Sequence, residues 1–353
     1  MIAPSLEQGI GFHAIGAFLS ANCYAPQKYI KRWSWEIFWM TQAAWCWLLW
    51  PIIGAFATIP QLWQVLAEAP HDRMLFSFLM GLAYGVGGTA FNISIRYIGF
   101  SLTYAIAVGL SSVVGTLVPP LVRGQFSSIL SRAGSAWVLG GVIAGAAGIA
   151  ICGAAGRLKE SDLERSKGER GEFSLWKGFL LSLVAGLLSA VYGFALEVAA
   201  PIADLAEQHG AGIWRGNVAY LFANTGAFFT ALAYSLYLAR KRRSFGELKR
   251  LPGPPDAARL KWNYFCALLT GTLWYGQFFF YNLGHVRLGA HYAFSSWAIH
   301  MILLVLFSNL LAVAFKEWKG CRGRTRVAIG LGLAVLCAAV LMLTYGNRLG
   351  EMG

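Results

Sequence analysis

The sequence predicts an all-α polytopic membrane protein: ten transmembrane helices arranged as two inverted five-helix repeats. Three observations lead there. The 353 residues are 57% hydrophobic and only 13% charged, with a mean hydropathy of +0.54, against roughly 25% charged in an average soluble domain. Apolar runs long enough to cross a bilayer, about 17–25 residues each, recur from end to end. The second half also repeats landmarks of the first at a fixed offset.

The runs fall at about 9–27, 37–57, 74–95, 100–120, 136–155, 176–199, 214–239, 262–283, 290–315 and 325–345. Basic residues part them in alternation. Loops one, three, five, seven and nine hold 23 Lys and Arg, grouped near Lys28–Arg32, at Arg96, and over Arg157–Lys177, Arg240–Lys261 and Lys316–Arg326. The opposite face holds six: Arg73, Arg123, Arg132, Arg215, Arg287 and Arg348. Lys and Arg accumulate in short cytoplasmic loops, so the odd loops are placed in the cytoplasm and both termini outside. The formal net charge of +13 is therefore orientation information, and no nucleic-acid partner is expected. The start, "MIAPSLEQGIGFHAIG", lacks the basic region of a cleaved signal peptide. Six scattered cysteines form no CxxC pair, so disulfides and a metal site are not expected.

"GLAYGVGGTAFNISIRYIG" from Gly81 aligns with "GTLWYGQFFFYNLGHVRLG" from Gly271. Gly81 matches Gly271, Asn92 matches Asn282 and Gly99 matches Gly289 at an offset of 190; Gly140 with Gly330 and Gly156 with Gly346 keep it. Upstream, "LSANCYA" at Leu19 resembles "LSAVYGF" at Leu188, the offset of 169 placing a longer loop between spans six and seven. Five spans per half is an odd number, so the halves enter the membrane from opposite faces. The expected organisation is a first repeat over 1–156, a cytoplasmic linker over 157–175 and a second repeat over 176–353. Inverted repeats are a plan of secondary transporters, with the substrate site near the midplane. No GxxxxGK[ST] phosphate loop, HExxH or Gly-x-Ser-x-Gly elbow occurs. An ATP motor, a cofactor and an enzymatic role are not expected, and an ion gradient is the simplest power source.

Polar residues follow helical spacing inside several spans. His13, Ser20, Tyr24 and Gln27 share a face of span one; Ser182, Gly186, Ser189, Gly193 and Glu197 do so in span six; Tyr104, Ser111 and Ser112 mark span four. Span eight gives Trp274, Gln277 and Tyr281, and span nine Tyr292, Ser296 and His300. Small residues at such spacing also serve simply to bring helices close, and Gln277 and Asn282 also fit interhelical hydrogen bonding. Aromatic rings beside an amide, as in Trp274–Gln277–Tyr281, suit the C–H faces and hydroxyls of a sugar, although aromatics at this spacing commonly serve packing. His300 lies about 15 Å into its span. An ionisable group at that depth is a functional candidate, and histidine changes protonation near neutral pH. His13 lies near the outer face. Glu197 is the one acid placed within a span. Glu36 and Glu317, at cytoplasmic span ends, are expected to pair with basic groups.

"GFHAIGAFLSANCYAPQKYIKRWSWE" (Gly11 to Glu36), "WYGQFFFYNLGHVRLGAHYAFSSWAIHM" and the "KEW" of Lys316 to Trp318 resemble bacterial L-rhamnose–proton symporters, a likeness running along nearly the whole chain. The resemblance implies the drug/metabolite transporter fold and uptake of L-rhamnose, with L-lyxose as a close analogue, coupled to protons across the inner membrane. His13, Gln277 and His300 match the family pattern. Ala293 stands where an Asp is usual, and Glu197 where a neutral amide is usual, so Glu197 is a candidate substitute for the missing acid.

The expected roles are then substrate binding by Tyr24, Trp274, Gln277, Tyr281, Tyr292 and Ser296, and proton coupling by His300, Glu197 and His13. Partners are a small sugar, the proton and the lipid bilayer, with a monomer as the expected unit. The rival of the same fold is a proton-antiport exporter of amino acids or other small metabolites. A rival of another class is a membrane enzyme acting on lipid-linked sugars, which would need a reactive carboxylate or metal site at a membrane face.

Overall fold

Hydrophobic runs without a free backbone partner in lipid must satisfy their own N–H and C=O groups, and helices do so internally. The structure, a computed structural model, describes residues 5–98, 100–122, 124–167 and 174–352; the side chains of 96, 100–101, 163–167, 175, 289–294 and 351–352 lie outside that description. Among the described residues the ordered elements are all helical. The long ones are α1 (Leu6–Asn22), α2 (Trp35–Thr58), α3 (His71–Ile98), α4 (Phe100–Val122), α5 (Ser135–Lys167), α6 (Leu175–Val198), α7 (Ala219–Arg242), α8 (Ala257–Ala314) and α9 (Gly323–Met352).

Among the described residues, eight segments are long and apolar enough to cross a membrane by length and composition, two fewer than the ten runs of the sequence. Two differences account for this. α1 is only 17 residues long, because Pro26 lacks an N–H and the chain passes into a 3₁₀ turn over Pro26–Tyr29. Tyr24 and Gln27 thus lie beyond the helix that was expected to carry them. Runs eight and nine form the single helix α8 of 58 residues, of which Ser295–Ala314 is the apolar segment. The stretch "GHVRLG" between the runs is expected as a loop, but it contains no proline to break a helix.

The chain divides into two compact units, each drawing on both halves of the sequence. One comprises Asn22–Val86 and Ala195–Asn282; the other comprises Ile2–Ala21, Gly87–Phe194 and Leu283–Gly353. In the first unit, glycine permits backbone contact between helices: a Cβ on Gly85 of α3 would lie 2.9 Å from the Ala227 carbonyl oxygen of α7, and Thr230 Oγ1 donates to Leu82 O at 2.9 Å across the same contact. Such small-residue seams take the place of hydrophobic collapse, which gives no drive between helices in lipid. Glu36 is fully buried and accepts from Arg242 Nη1 at 2.9 Å and Ser244 Oγ at 2.8 Å. Its expected basic partner therefore comes from the end of α7, more than two hundred residues away.

In the second unit α5 and α9 run antiparallel. Gly141 meets Leu343, Gly148 meets Leu336 and Cys152 meets Gly332, partner numbers falling as the others rise. Lys159 pairs with Glu317 at 3.0 Å, again as expected for that acid. The outward faces are apolar, as with Val327, Leu331 and Leu341 of α9, each more than half exposed. The cysteines are free; five are buried and Cys337 is exposed.

Candidate functional site

In the first unit, α8 presents Trp274, Gln277 and Tyr281 on one face, all buried. Trp274 is a hub of aromatic contacts. Its ring centroid lies 5.4 Å from Tyr24, 5.7 Å from Trp39 and 5.1 Å from Trp47, in tilted or edge-on arrangements. Trp39 and Trp47 also meet each other at 5.9 Å, and Trp47 meets Tyr84 at 6.1 Å. Edge-to-face rings are held by the complementarity of positive edge and negative face. The result is an uncharged aromatic surface with an amide one turn away. Trp39, Trp47 and Tyr84 escaped sequence reasoning. For the two tryptophans the signal was composition alone, since "WEIFWMTQAAWCWLLW" holds too many tryptophans for any one of them to stand out.

Asn282 settles into helix contact rather than a free polar position. Its side chain approaches Asn217 at 3.5 Å, and Asn217 Nδ2 donates to Thr58 Oγ1 at 3.0 Å. Glu197, near the end of α6, is half-buried and belongs to the first unit.

The second unit brings His13, Ser296 and His300 together. All three are essentially fully buried. The Ser296 hydroxyl and His13 Nε2 share a hydrogen bond at 2.9 Å, and the His13 and His300 rings stand 5.7 Å apart, edge to face. The positions follow from glycines. Gly284 of α8 lets α1 approach so closely that a Cβ there would fall 2.8 Å from His13 Cδ2, and Gly9 of α1 accommodates Leu288 in the same way. The backbone N–H of Ser5 donates to Arg287 O at 2.9 Å and ties the start of α1 to the same stretch. Beside this group, Trp297 donates its indole N–H to Ser111 O at 3.0 Å, and Ser111 donates to Ser189 at 3.0 Å. The serines expected on polar stripes of spans four and six thus bond to each other.

Of the nine residues picked from the sequence, Tyr24, Trp274, Gln277, Tyr281 and Glu197 fall in the first unit, and His13, Ser296 and His300 in the second. The side chains of Tyr292 and Ala293 lie outside the described residues. Tyr24 touches Trp274, and His13 touches both Ser296 and His300. The first set offers flat apolar faces and an amide, chemistry for a neutral polyol. The second offers two titratable imidazoles, one bonded to a hydroxyl.

A family model described as L-rhamnose-proton symport protein (RhaT) matches residues 2–348. The chain is 32% identical over 348 residues to the L-rhamnose-proton symporter of Klebsiella pneumoniae strain 342, covering 97% of this chain and 98% of that one. It is also 32% identical over 349 residues to the L-rhamnose-proton symporter of Salmonella paratyphi A, covering 98% and 99%, and over 351 residues to that of Yersinia pestis strain Pestoides F, covering 98% and 97%.

Proposed function

Because the chain belongs to the L-rhamnose-proton symporter family, we propose that it imports L-rhamnose with a proton across the bacterial inner membrane. It is a transporter and not an enzyme. Tyr24, Trp274, Gln277, Tyr281 and Tyr292 hold the sugar, with rings on its C–H faces and the amide on its hydroxyls. His300 and His13 take the proton, Glu197 serving as a second carrier in place of the acid missing at Ala293. L-lyxose, which lacks only the methyl carbon of the L-rhamnose ring system, is the natural second substrate.

The observation that carries the coupling is the hydrogen bond between Ser296 and His13. When His13 Nε2 is unprotonated it accepts, and the serine proton is committed to the imidazole. Protonated, the same nitrogen donates, and the serine hydrogen is released to a sugar oxygen. Protonation and sugar binding then favour the same state. A carrier requires such a difference, because a ligand binding two states equally shifts neither.

The architecture that fits is ten spans in two inverted repeats, 1–156 and 176–353, joined by the linker 157–175, with odd loops cytoplasmic and both termini periplasmic. One feature supports it. The α5–α9 contact has the self-symmetry an inverted repeat demands. Exchanging its members by the offset of 190 turns the Gly141–Leu343 contact into 331 with 153, one residue from the observed Gly332–Cys152 contact.

The test is sugar-induced pH change in a lightly buffered suspension of de-energised cells expressing the chain. L-rhamnose, L-lyxose, L-fucose and D-glucose are added in turn. Alkalinisation by L-rhamnose is the expected result. Acidification by an amino acid or other small metabolite, with no response to any sugar, would replace this reading with the exporter.

A further inference from the structure

α2 is irregular where it matters. Between Ala44 and Leu49 it widens into a π turn, a feature that gathers at functional sites. In a regular α-helix, Trp39 and Trp47 would point about 80° apart, at about 100° per residue. With roughly 4.4 residues per turn across the π segment, the difference closes to about 25°. Both indoles therefore reach Trp274.

The same stretch carries polar atoms that the protein leaves unbonded. Trp39 Nε1, Trp47 Nε1, and both Nε2 and Oε1 of Gln42 are buried with no hydrogen-bond partner among the described residues. Gln42 is fully buried and Trp39 and Trp47 are nearly so. α8 is held hard against this point, since a Cβ on Gly271 would lie 2.8 Å from Gln42 O and 2.6 Å from Trp45 Cβ. Two tryptophans alone read as core filler, but a fully buried amide does not. Leucine would fill the same volume with no polar atoms to desolvate, and buried polar groups are ordinarily bonded.

These atoms supply three donor groups and one acceptor, next to a wall of indole rings and without a charged side chain among Trp39, Gln42, Trp47, Trp274, Tyr24 and Tyr84. That is the complement of a neutral pyranose: alternating hydroxyls on its rim and an apolar C–H face. We infer that Trp39, Gln42 and Trp47 are substrate-binding residues, with the sugar ring seated against the tryptophan cluster, the two indole N–H groups donating to its oxygens and the Gln42 amide bonding adjacent hydroxyls. The inference rests on the sugar-transport reading and deepens it by adding α2 to the site.

Two variants test it. Gln42→Leu keeps volume and removes both amide atoms; Trp47→Phe keeps a ring and removes the N–H. Each is reconstituted, and L-rhamnose counterflow is measured together with melting in detergent, with and without L-rhamnose; Trp45→Phe on the same helix is the control. Each variant is expected to raise the L-rhamnose KM about 3- to 10-fold, the worth of one neutral hydrogen bond, with Trp45→Phe unchanged. Sugar-free Gln42→Leu is expected to melt no lower than the parent, because the amide bonds nothing among the described residues, while its stabilisation by L-rhamnose shrinks. An unchanged KM in both variants, with Gln42→Leu melting lower, would assign these residues to packing and overturn the inference while the parent still transports L-rhamnose. A parent that neither transports nor is stabilised by L-rhamnose or L-lyxose would overturn the transport reading, and this assignment with it.

Discussion

Ser296→Ala probes the switch most directly. The substitution deletes one oxygen from a fully buried contact of 2.9 Å with His13 and adds no atoms, so packing around α1 and α8 is preserved. A hydrogen bond between neutral partners contributes about 0.5–1.5 kcal/mol, and one to a charged partner about 1.5–3 kcal/mol. At about 1.4 kcal/mol per factor of ten, the first range is about 2- to 12-fold and the second about 12- to 140-fold. If Ser296 serves the sugar only when His13 is protonated, the penalty of Ser296→Ala on L-rhamnose KM must grow as pH falls. Neutral His13 with its proton on Nδ1 leaves the serine hydrogen engaged at Nε2, and its removal then costs the sugar little. The assay is counterflow in proteoliposomes with the same pH on both sides, so that driving force does not vary, compared at about pH 8 and at the lowest pH at which the parent still transports. The expected result is a modest penalty at the higher pH and one of at least tenfold at the lower. A penalty equal at both values, whatever its size, would refute the switch and reduce Ser296 to an ordinary binding hydroxyl.

Three further outcomes are expected. Gly284→Ala forces a Cβ to within 2.8 Å of His13 Cδ2; overpacking of this kind costs about 1–3 kcal/mol, and a lowered melting temperature together with reduced L-rhamnose uptake checks it. Arg242→Ala leaves the fully buried Glu36 carboxylate with Ser244 but without its cation. Breaking a buried pair costs about 3–5 kcal/mol, but Arg242 is about half exposed, so a loss of about 1–3 kcal/mol is expected from melting; Glu36→Gln in the same background should recover part of it. Between α2 and α3, the Glu68 carboxylate accepts from Gln64 Nε2 at 2.9 Å and lies 3.1 Å from His209 Nε2; the amide first and the histidine second hold its pKa below the ordinary carboxylate value. A carboxylate lowered in the folded state contributes stability that is present above its unfolded pKa and is lost as pH falls through the lowered one. Gln64→Ala should therefore flatten the decline in melting temperature on acidification below about pH 5, and an unchanged slope would remove the amide's role.

Helix existence was legible in this sequence because lipid leaves the backbone one economical way to satisfy itself, and 57% hydrophobic composition with alternating basic loops announces the lipid. Partners were less legible. Glu36 and Glu317 were expected to be paired, and they are, but with Arg242 and Lys159, residues no local pattern indicates. Helix ends were misjudged where two rules compete. Pro26 shortened α1 against an apolar run that continued past it, while "GHVRLG", polar enough to read as a loop, stayed helical within α8 because polarity alone does not break a helix. Backbone contacts depended on single glycines such as Gly284 and Gly85, and a chain with 41 of them gives no sign of which ones lie against another helix.

The site was legible to the extent that helical period predicts a shared face. Trp274, Gln277 and Tyr281 obey that period and lie together on α8, and Ser296 and His300 obey it too. His13, on another helix, was picked by its spacing within span one, which gave no sign of its contacts with Ser296 and His300. Trp39 and Trp47 were missed for a definite reason: eight residues apart, they point about 80° from each other at 3.6 residues per turn, off the i, i+4, i+7 rhythm that marked the other stripes. The π turn at Ala44–Leu49 restores the face by changing the period over six residues. A reading built on one fixed period is blind to any site assembled by altering it. In a membrane bundle that blindness falls where it does most harm, because a local change of period is one of the few ways a helix has to turn a side chain inward while every backbone group stays bonded.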